Sequence, residues 1–490
     1  MLSLLFPEDY REEKQSPEVS HTSDIMLDKV LAAVTPDIRL QNAALKVLCR
    51  PLVSEQQITY RREIVKDFLA HRLSLSKTKE LFGQFCDFDD EYRSRKKQMY
   101  RMSGAKDETT QMLDAVRLVQ FAAYTLKKLL SLIEDIHSSL RNAEIRSHGL
   151  ERLKQRVGEI AQSPDIGILL KCAGMLEYYS AAETMHDMKF IIDESGKMSG
   201  IGLHGLRTET PKKAGSEPLF NIFKKKKTDA PFEIKAQFNP NDNAQLVTYA
   251  IKDITAAMEF VINSISGEFG GISYELMFYD FAIKYCETLD KSGVTCCFPE
   301  FSDDTKISEL YDLYLLFTRP DPSTVVPNDF ALKKDAKGVI VEGDNSSGKT
   351  VYLRSIATTY IFAQAGLPIP ARTVQIAIQN GLCLQMASAE KTLKASDSVG
   401  RFEEEVIELK EMIDTVTPDS LAFFNEIFQT TDYAEGAEGL YHIFEYLSKK
   451  GIKWVLVTHL RELRGKYDSD NRVAKLRMGA KANYKVYNCG

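Results

Sequence analysis

The chain has 490 residues, too many for one ordinary domain, and its 44% hydrophobic and 27% charged content is that of a globular protein with ample material for buried cores. A net charge of −6 excludes an overall positive field that would draw it to nucleic acid, so any such contact must rest on local basic patches. Eight cysteines, scattered singly apart from the adjacent Cys296 and Cys297 and never at CxxC spacing, point to neither a zinc site nor a disulfide framework. The apolar start of MLSLLFPEDYREEK is too short for a signal peptide, and no apolar stretch reaches the roughly 20 residues that span a bilayer. A soluble, cytoplasmic protein with reduced thiols and no membrane contact is expected.

Residues 1–25 are polar beyond the apolar start and read as a loose N-terminal arm. From about 26 to 185 the pattern is helix after helix, with glycine almost absent between 33 and 103. Between Glu108 and about Arg141, the residues Val116, Val119, Ala123, Leu126, Leu130 and Ile133 recur three and four apart, one apolar seam along a single helix. Such a helix is either a lever or coiled-coil arm or an ordinary packed core helix, and both make this half a helical scaffold. MKFIIDESGKMSGIGLHGLR reads as two short strands around a glycine-containing turn. The stretch after it, with Lys224, Lys225, Lys226 and Lys227 among prolines and glycines, reads as a surface excursion, which makes 187–240 a candidate tip. Helical pattern returns from about 243 to 291 and stops at Gly293. The reading is therefore an all-α core and lever domain over 26–292, followed by a separate domain over 293–490.

From 295 onward strands and helices alternate. GVIVEG, SLAFFNE and KWVLVTH are each followed by helical pattern, which predicts an α/β domain with a parallel-rich sheet. GVIVEGDNSSGKT (338–350) contains Gly343, Gly348, Lys349 and Thr350 at the spacing of a P-loop, between a β-branched strand and a helix. Main-chain N–H groups of Gly343, Asp344, Asn345, Ser346, Ser347, Gly348, Lys349, Thr350 and Val351, with the positive end of the helix dipole, would cradle a phosphate chain. Lys349 would neutralise the terminal phosphates of ATP, and Thr350 would offer its hydroxyl to Mg²⁺. SLAFFNEIF ends a buried strand on Asn425 and Glu426. Glu426 suits water activation, and Thr350, Asn425 and Glu426 form the expected metal-binding set. Asn425, an amide where an aspartate usually supports the metal, predicts weaker metal affinity. KWVLVTHL ends a third strand on Thr458 and His459, placing His459 where it would sense the γ-phosphate.

These residues, in this order, resemble the MutS family of DNA mismatch-repair ATPases. VVPND (325–329), GDNSSGKTVYLRSIA (343–357), AQAGLPIPA (363–371), TPDSLAFFNEIFQTT (417–431) and VTHLRELR (457–464) look like successive family blocks. ITYRREIVKDFL (58–69) resembles the start of the family's helical core, and YELMFYDFAIKYCETLDKSGVTCCFPEF its last helix and the approach to the ATPase domain. The resemblance implies a homodimer paired through its ATPase domains, binding DNA and using ATP and Mg²⁺. It also implies a trans-acting signature in ASDSVGRFEEEV (395–406), where Phe402 and Glu405 match, Gly400 stands at the serine position, and Ser398 and Arg401 lie nearby.

Departures from the family pattern shape the expectations. With about 25 residues ahead of the helical core, the family's N-terminal mismatch-reading domain, and mismatch recognition by it, are not expected. Asn425 replaces the usual aspartate, which suggests slow hydrolysis, and closing dimerisation helices are not expected before Gly490. DNA contact is expected at the lysine-rich tip, with a second basic cluster in YRSRKKQMYRM (92–102). The expected function is an ATP-gated dimeric DNA clamp in repair or recombination. The alternatives are a weakly hydrolysing assembly module acting through protein partners and a branched-DNA factor without mismatch recognition.

Overall fold

The computed structural model describes residues 2–7, 17–102, 108–165, 168, 188–192, 198–203, 232–236, 244–386, 401–428, 433–479 and 483–489. The chain forms two compact units, one of Met1–Ser76, Ala143–Leu153 and Gly271–Gly490, the other of Lys77–Asn142 and Lys154–Gly270. Long helices carry the chain across, so one helix contributes residues to both units.

The first unit opens with helices α1 (Leu27–Val34), α2 (Ile38–Leu48) and α3 (Glu55–Ala70). Asp37 caps α2 by accepting the Arg39 N–H at 2.9 Å, which satisfies one of the orphan donors at a helix start. The described part of residues 1–25 is no loose arm. Leu4 and Ile25 are fully buried, and the Ser3–Leu5 backbone is held by side chains: Tyr60 Oη donates to the Ser3 carbonyl at 2.7 Å and Arg61 Nε to that of Leu5 at 2.9 Å. An apolar LSLLF segment has a buried slot to fill, and that overrides its polar surroundings in sequence.

In the second unit, helix α5 (Glu108–Arg141) supplies the described core with parts of α4 (Arg72–Met102), α6 (His148–Ala161) and the 49-residue α7 (Ala244–Ser292). Phe82 and Phe85 meet Phe269 edge to face, and Tyr92 stacks on Phe121. The α5 seam is wider than a two-position stripe. Ala122, Leu129 and Ile136 are buried beside Val119, Leu126 and Ile133, so α5 is a packed core helix. Strands β1 (Met188–Ile192) and β2 (Met198–Leu203) pair antiparallel as the sequence implies. A third strand, β3 (Phe232–Ala236), pairs with β1 inside the stretch read as an excursion. The four lysines 224–227 lie outside the described residues. Helix α7 ends where Gly293, at φ 69°, adopts the left-handed conformation that closes a helix.

The remainder of the first unit is α/β. Strands β4 (Glu300–Phe301), β5 (Thr305–Leu310), β6 (Asn328–Leu332) and β8 (Thr373–Ile376) make a mixed sheet in the order β4-β8-β5-β6. The second sheet contains β7 (Gly338–Gly343), β9 (Leu382–Met386), β10 (Leu421–Asn425), β11 (Lys453–Val457), β12 (Val473–Met478) and β13 (Val486–Asn488), in the order β13-β12-β7-β11-β10-β9. All its pairings are parallel except β12 with the edge strand β13. Strands β7, β10 and β11 are buried on both faces, which explains their continuous apolar runs. Alternate β10 side chains face opposite layers. Phe424 packs on Phe444 of α11 (Tyr433–Lys449), while Phe423 meets Tyr360 of α9 (Lys349–Gln364).

Candidate functional site

Parallel register brings the carboxyl ends of three strands to one edge of the larger sheet. Asn425 lies opposite Val457, and Val457 opposite Val341, so residues just beyond β7, β10 and β11 emerge side by side. Two main-chain bonds extend this alignment past the strands: Glu426 N–H donates to the Val457 carbonyl at 2.9 Å and Thr458 N–H to that of Val341 at 3.2 Å. The edge is the place where open parallel sheets present ligand-binding residues.

The turn from β7 into α9 is dictated by its glycines. Gly343 has φ 155°, and a Cβ there would lie 2.2 Å from the Met478 carbonyl oxygen of neighbouring β12. Gly348, at φ 97°, is the N-cap of α9. Only glycine suits both positions. The N-terminus of α9, with its unpaired N–H groups, consequently sits directly behind the loop. Ser347 is 1% exposed, and its Oγ has no hydrogen-bond partner among the described residues, a buried polar atom suited to an incoming oxygen ligand.

Lys349, 4% exposed, folds back over this loop and donates from Nζ to the carbonyls of Gly343 and Asp344, both at 3.0 Å. Its Nζ is 3.8 Å from Glu426 Oε1 and 3.2 Å from His459 Nε2. Burial pushes the Lys349 ammonium below the usual lysine value, against the opposing pull of the Glu426 carboxylate. His459 Nε2 approaches Glu426 Oε1 to 2.8 Å. One ring nitrogen cannot donate to the carboxylate and accept from the lysine at once, so the shorter contact favours the tautomer with the proton on Nε2. Thr350 Oγ1 donates to Asn425 Oδ1 at 3.2 Å. Glu426 itself stands at φ 55°, a conformation that costs a non-glycine residue free energy and recurs at functional sites.

Lys349, Thr350, Asn425, Glu426 and His459 therefore converge, and residues 343–351 form the single strand–loop–helix turn beside them. Of the trans-signature residues, Ser398 and Gly400 lie outside the described residues. Arg401, Phe402 and Glu405 fall on α10 (Arg401–Thr415). A cavity of about 670 Å³ opens beside the loop and is lined by residues that the site reading did not name: Val325, Val326, Asn328, Met478 and Tyr484. Asn328 organises this wall. Its Nδ2 donates to the Tyr484 carbonyl at 3.2 Å and its Oδ1 accepts the Val486 N–H at 2.8 Å. VVPND carried a signal for Asn328, whereas nothing around Tyr484 marked it in the sequence.

The donor set fits a nucleotide phosphate chain: a glycine cradle that any Cβ would obstruct, a helix N-terminus, a buried lysine and an orphan serine hydroxyl. It also fits a hard cation held by oxygen from Thr350 and Asn425. Among the described residues no cluster of three or more His, Cys, Asp or Glu side chains could hold a metal by itself.

Two models of the MutS family between them match most of the chain, which belongs to that family. Residues 339–488 match the family model described as MutS domain V. Residues 53–292 match the model described as the MutS2 N-terminal domain. The chain is similar to proteins named Endonuclease MutS2: that of Streptococcus suis is 31% identical over 161 residues, 32% of this chain and 20% of the relative. The one from Bacillus cytotoxicus is 28% identical over 31% of this chain and 19% of the relative, and the one from Acetivibrio thermocellus 31% identical over 34% and 21%. The aligned stretch thus spans about a fifth of the length of these relatives. Among the described residues no helix is long and apolar enough to cross a membrane.

Proposed function

We propose that this chain binds ATP with Mg²⁺ at the β7–α9 loop and hydrolyses it, acting in the cytoplasm as a homodimeric, ATP-gated clamp on DNA in repair or recombination. The observation that carries this reading is the convergence of Lys349, Glu426 and His459 within 3.8 Å of one another beside a glycine-built anion cradle. In the proposed roles the loop N–H groups and Lys349 bind the phosphates. Thr350 and Asn425 hold Mg²⁺, which when bound supplies charge neutralisation to the phosphate chain. Glu426 orients and polarises the attacking water, and His459 orients Glu426 through the Nε2 contact. Val325, Met478 and Tyr484 offer an apolar wall to the base.

Gating would pass through α4 and α7, which contribute residues to both units, toward the β1–β3 tip. DNA contact is proposed at that tip rather than at 92–102. Arg93, Arg95 and Lys96 of the latter cluster are ion-paired with Asp89, Glu91 and Glu259, and Tyr92 is buried in the core. Lys97 and Arg101 remain exposed there.

Steady-state hydrolysis of wild type and Glu426→Gln tests the reading. A drop of about 10²–10⁴ in kcat with ATP affinity retained supports it. Equal, near-zero rates with intact ATP binding would favour the second reading, an assembly module that binds ATP and acts through protein partners. The uncharged Thr350–Asn425 pair is the observation behind that alternative. Gel-shift competition among homoduplex, mismatched and branched DNA separates a mismatch-specific clamp from a branched-DNA factor.

A further inference from the structure

The geometry points to Glu405 as the residue that positions Glu426, acting through the backbone of the turn after β10. This deepens the proposed hydrolytic reading and rests on it. Within three residues of that turn, Glu426 and Phe428 both adopt left-handed backbone conformations, at φ 55° and 61°. Non-glycine residues hold such angles only where the surroundings impose them. The Glu405 carboxylate supplies one such constraint: its Oε2 accepts the Phe428 N–H at 2.8 Å. A charged acceptor on a main-chain donor makes a strong hydrogen bond, and this one fixes the peptide two residues beyond the carboxylate that faces Lys349 and His459.

Glu405 is itself anchored to the sheet. Gln385 on β9 lies opposite Phe424 of β10, is 7% exposed, and donates from Nε2 to the Glu405 carbonyl at 3.2 Å. On the inner side of the turn Ile427 and Phe428 are buried, so the segment has a fixed floor as well as a hydrogen-bonded rim. The path therefore runs from β9 through Gln385 to α10, from α10 through the Glu405 carboxylate to Phe428, and back along two residues to Glu426. Through these two bonds Glu405 reaches β9 and the turn after β10. Its effect should fall on turnover and leave nucleotide binding alone.

The test compares wild type, Glu405→Ala, Glu405→Gln and Glu426→Gln, with kcat and KM for ATP and the affinity for a non-hydrolysable ATP analogue. Glu405→Ala is expected to lose at least tenfold in kcat while KM and analogue affinity stay within threefold. Glu405→Gln keeps an oxygen that accepts the Phe428 N–H, and is expected to retain at least half of the wild-type kcat. That rescue separates positioning from a need for the charge, and retained analogue affinity separates it from misfolding. Three results overturn the proposal alone: wild-type kcat in Glu405→Ala beside a slow Glu426→Gln, a matching loss of analogue affinity, or a Glu405→Gln as slow as the alanine variant. Absence of ATP binding by wild type, or a wild-type rate in Glu426→Gln, overturns the hydrolytic reading and this inference with it.

Discussion

Removing the carboxylate of Asp312 strands a buried guanidinium on α9, the helix that follows the β7–α9 loop. Arg354, five residues into α9 from Lys349, donates from Nε to Asp312 Oδ2 at 2.8 Å and from Nη2 to Oδ1 at 2.7 Å. The side chains are 8% and 3% exposed, so neither charge has water to fall back on. Breaking one partner of such a pair costs about 3–5 kcal/mol, because the survivor is buried uncompensated. Asp312 has a second task. Its Oδ1 caps α8 (Leu313–Thr318) by accepting the Leu315 N–H at 2.8 Å, and losing a cap costs about 1 kcal/mol. Asp312→Ala loses both contributions, while Asp312→Asn keeps an acceptor for the cap. The expected destabilisation is therefore about 4–6 kcal/mol for alanine and about 1 kcal/mol less for asparagine. Replacing the whole pair with apolar residues, Asp312→Leu with Arg354→Met, should recover most of the loss, since both charges then leave the interior together. Urea denaturation at neutral pH reads all four proteins. A cost below about 1 kcal/mol for Asp312→Ala would refute the reasoning, showing that water or another group already solvates Arg354.

Two further outcomes are expected. Burial pushes the Glu275 carboxyl above its usual value of 4.5, so the folded protein holds that proton more tightly than the unfolded chain. The stability this confers is fully present below about 4.5 and is lost as pH rises through the folded value. The urea midpoint of wild type should thus fall relative to Glu275→Gln as pH rises above 4.5, and a pH-independent difference would contradict it. Replacing Lys224–Lys227 by alanine should flatten the salt dependence of DNA binding, by up to about 0.9 in slope for each phosphate those lysines neutralise; an unchanged slope would remove that segment from the DNA-binding surface.

The architecture of the candidate site was legible because each element carries its own constraint. GVIVEG, SLAFFNE and KWVLVTH each hold an unbroken apolar run, as strands covered on both faces must, and the last two end on Glu426 and His459, which meet Lys349. The glycines of the loop stand where positive φ or a neighbouring backbone forbids any side chain. What stayed hidden depends on contacts distant in sequence. β12 runs beside β7 although VAKLRM carries no sign of that pairing, and its Met478 fixes the need for Gly343. Tyr484 reaches the cavity because Asn328, 156 residues earlier, holds its carbonyl. The basic run at 92–102 misled because charge along a sequence does not reveal its partners: Lys96 meets Glu259 from α7. For the same reason the LSLLF start reads as a tail until Tyr60, Arg61 and Glu275 are seen gripping its backbone and the Ser3 hydroxyl.

The central claim, that the β7–α9 loop grips a nucleoside triphosphate through its main chain and Lys349, is tested most directly by calorimetric titration of Mg²⁺ and a non-hydrolysable ATP analogue into wild type and Lys349→Ala. Wild type should bind with one site per chain, and the alanine variant should lose at least a hundredfold in affinity while keeping the wild-type unfolding free energy to within about 1 kcal/mol. Equal affinities in the two proteins, or no heat with either, would contradict the account.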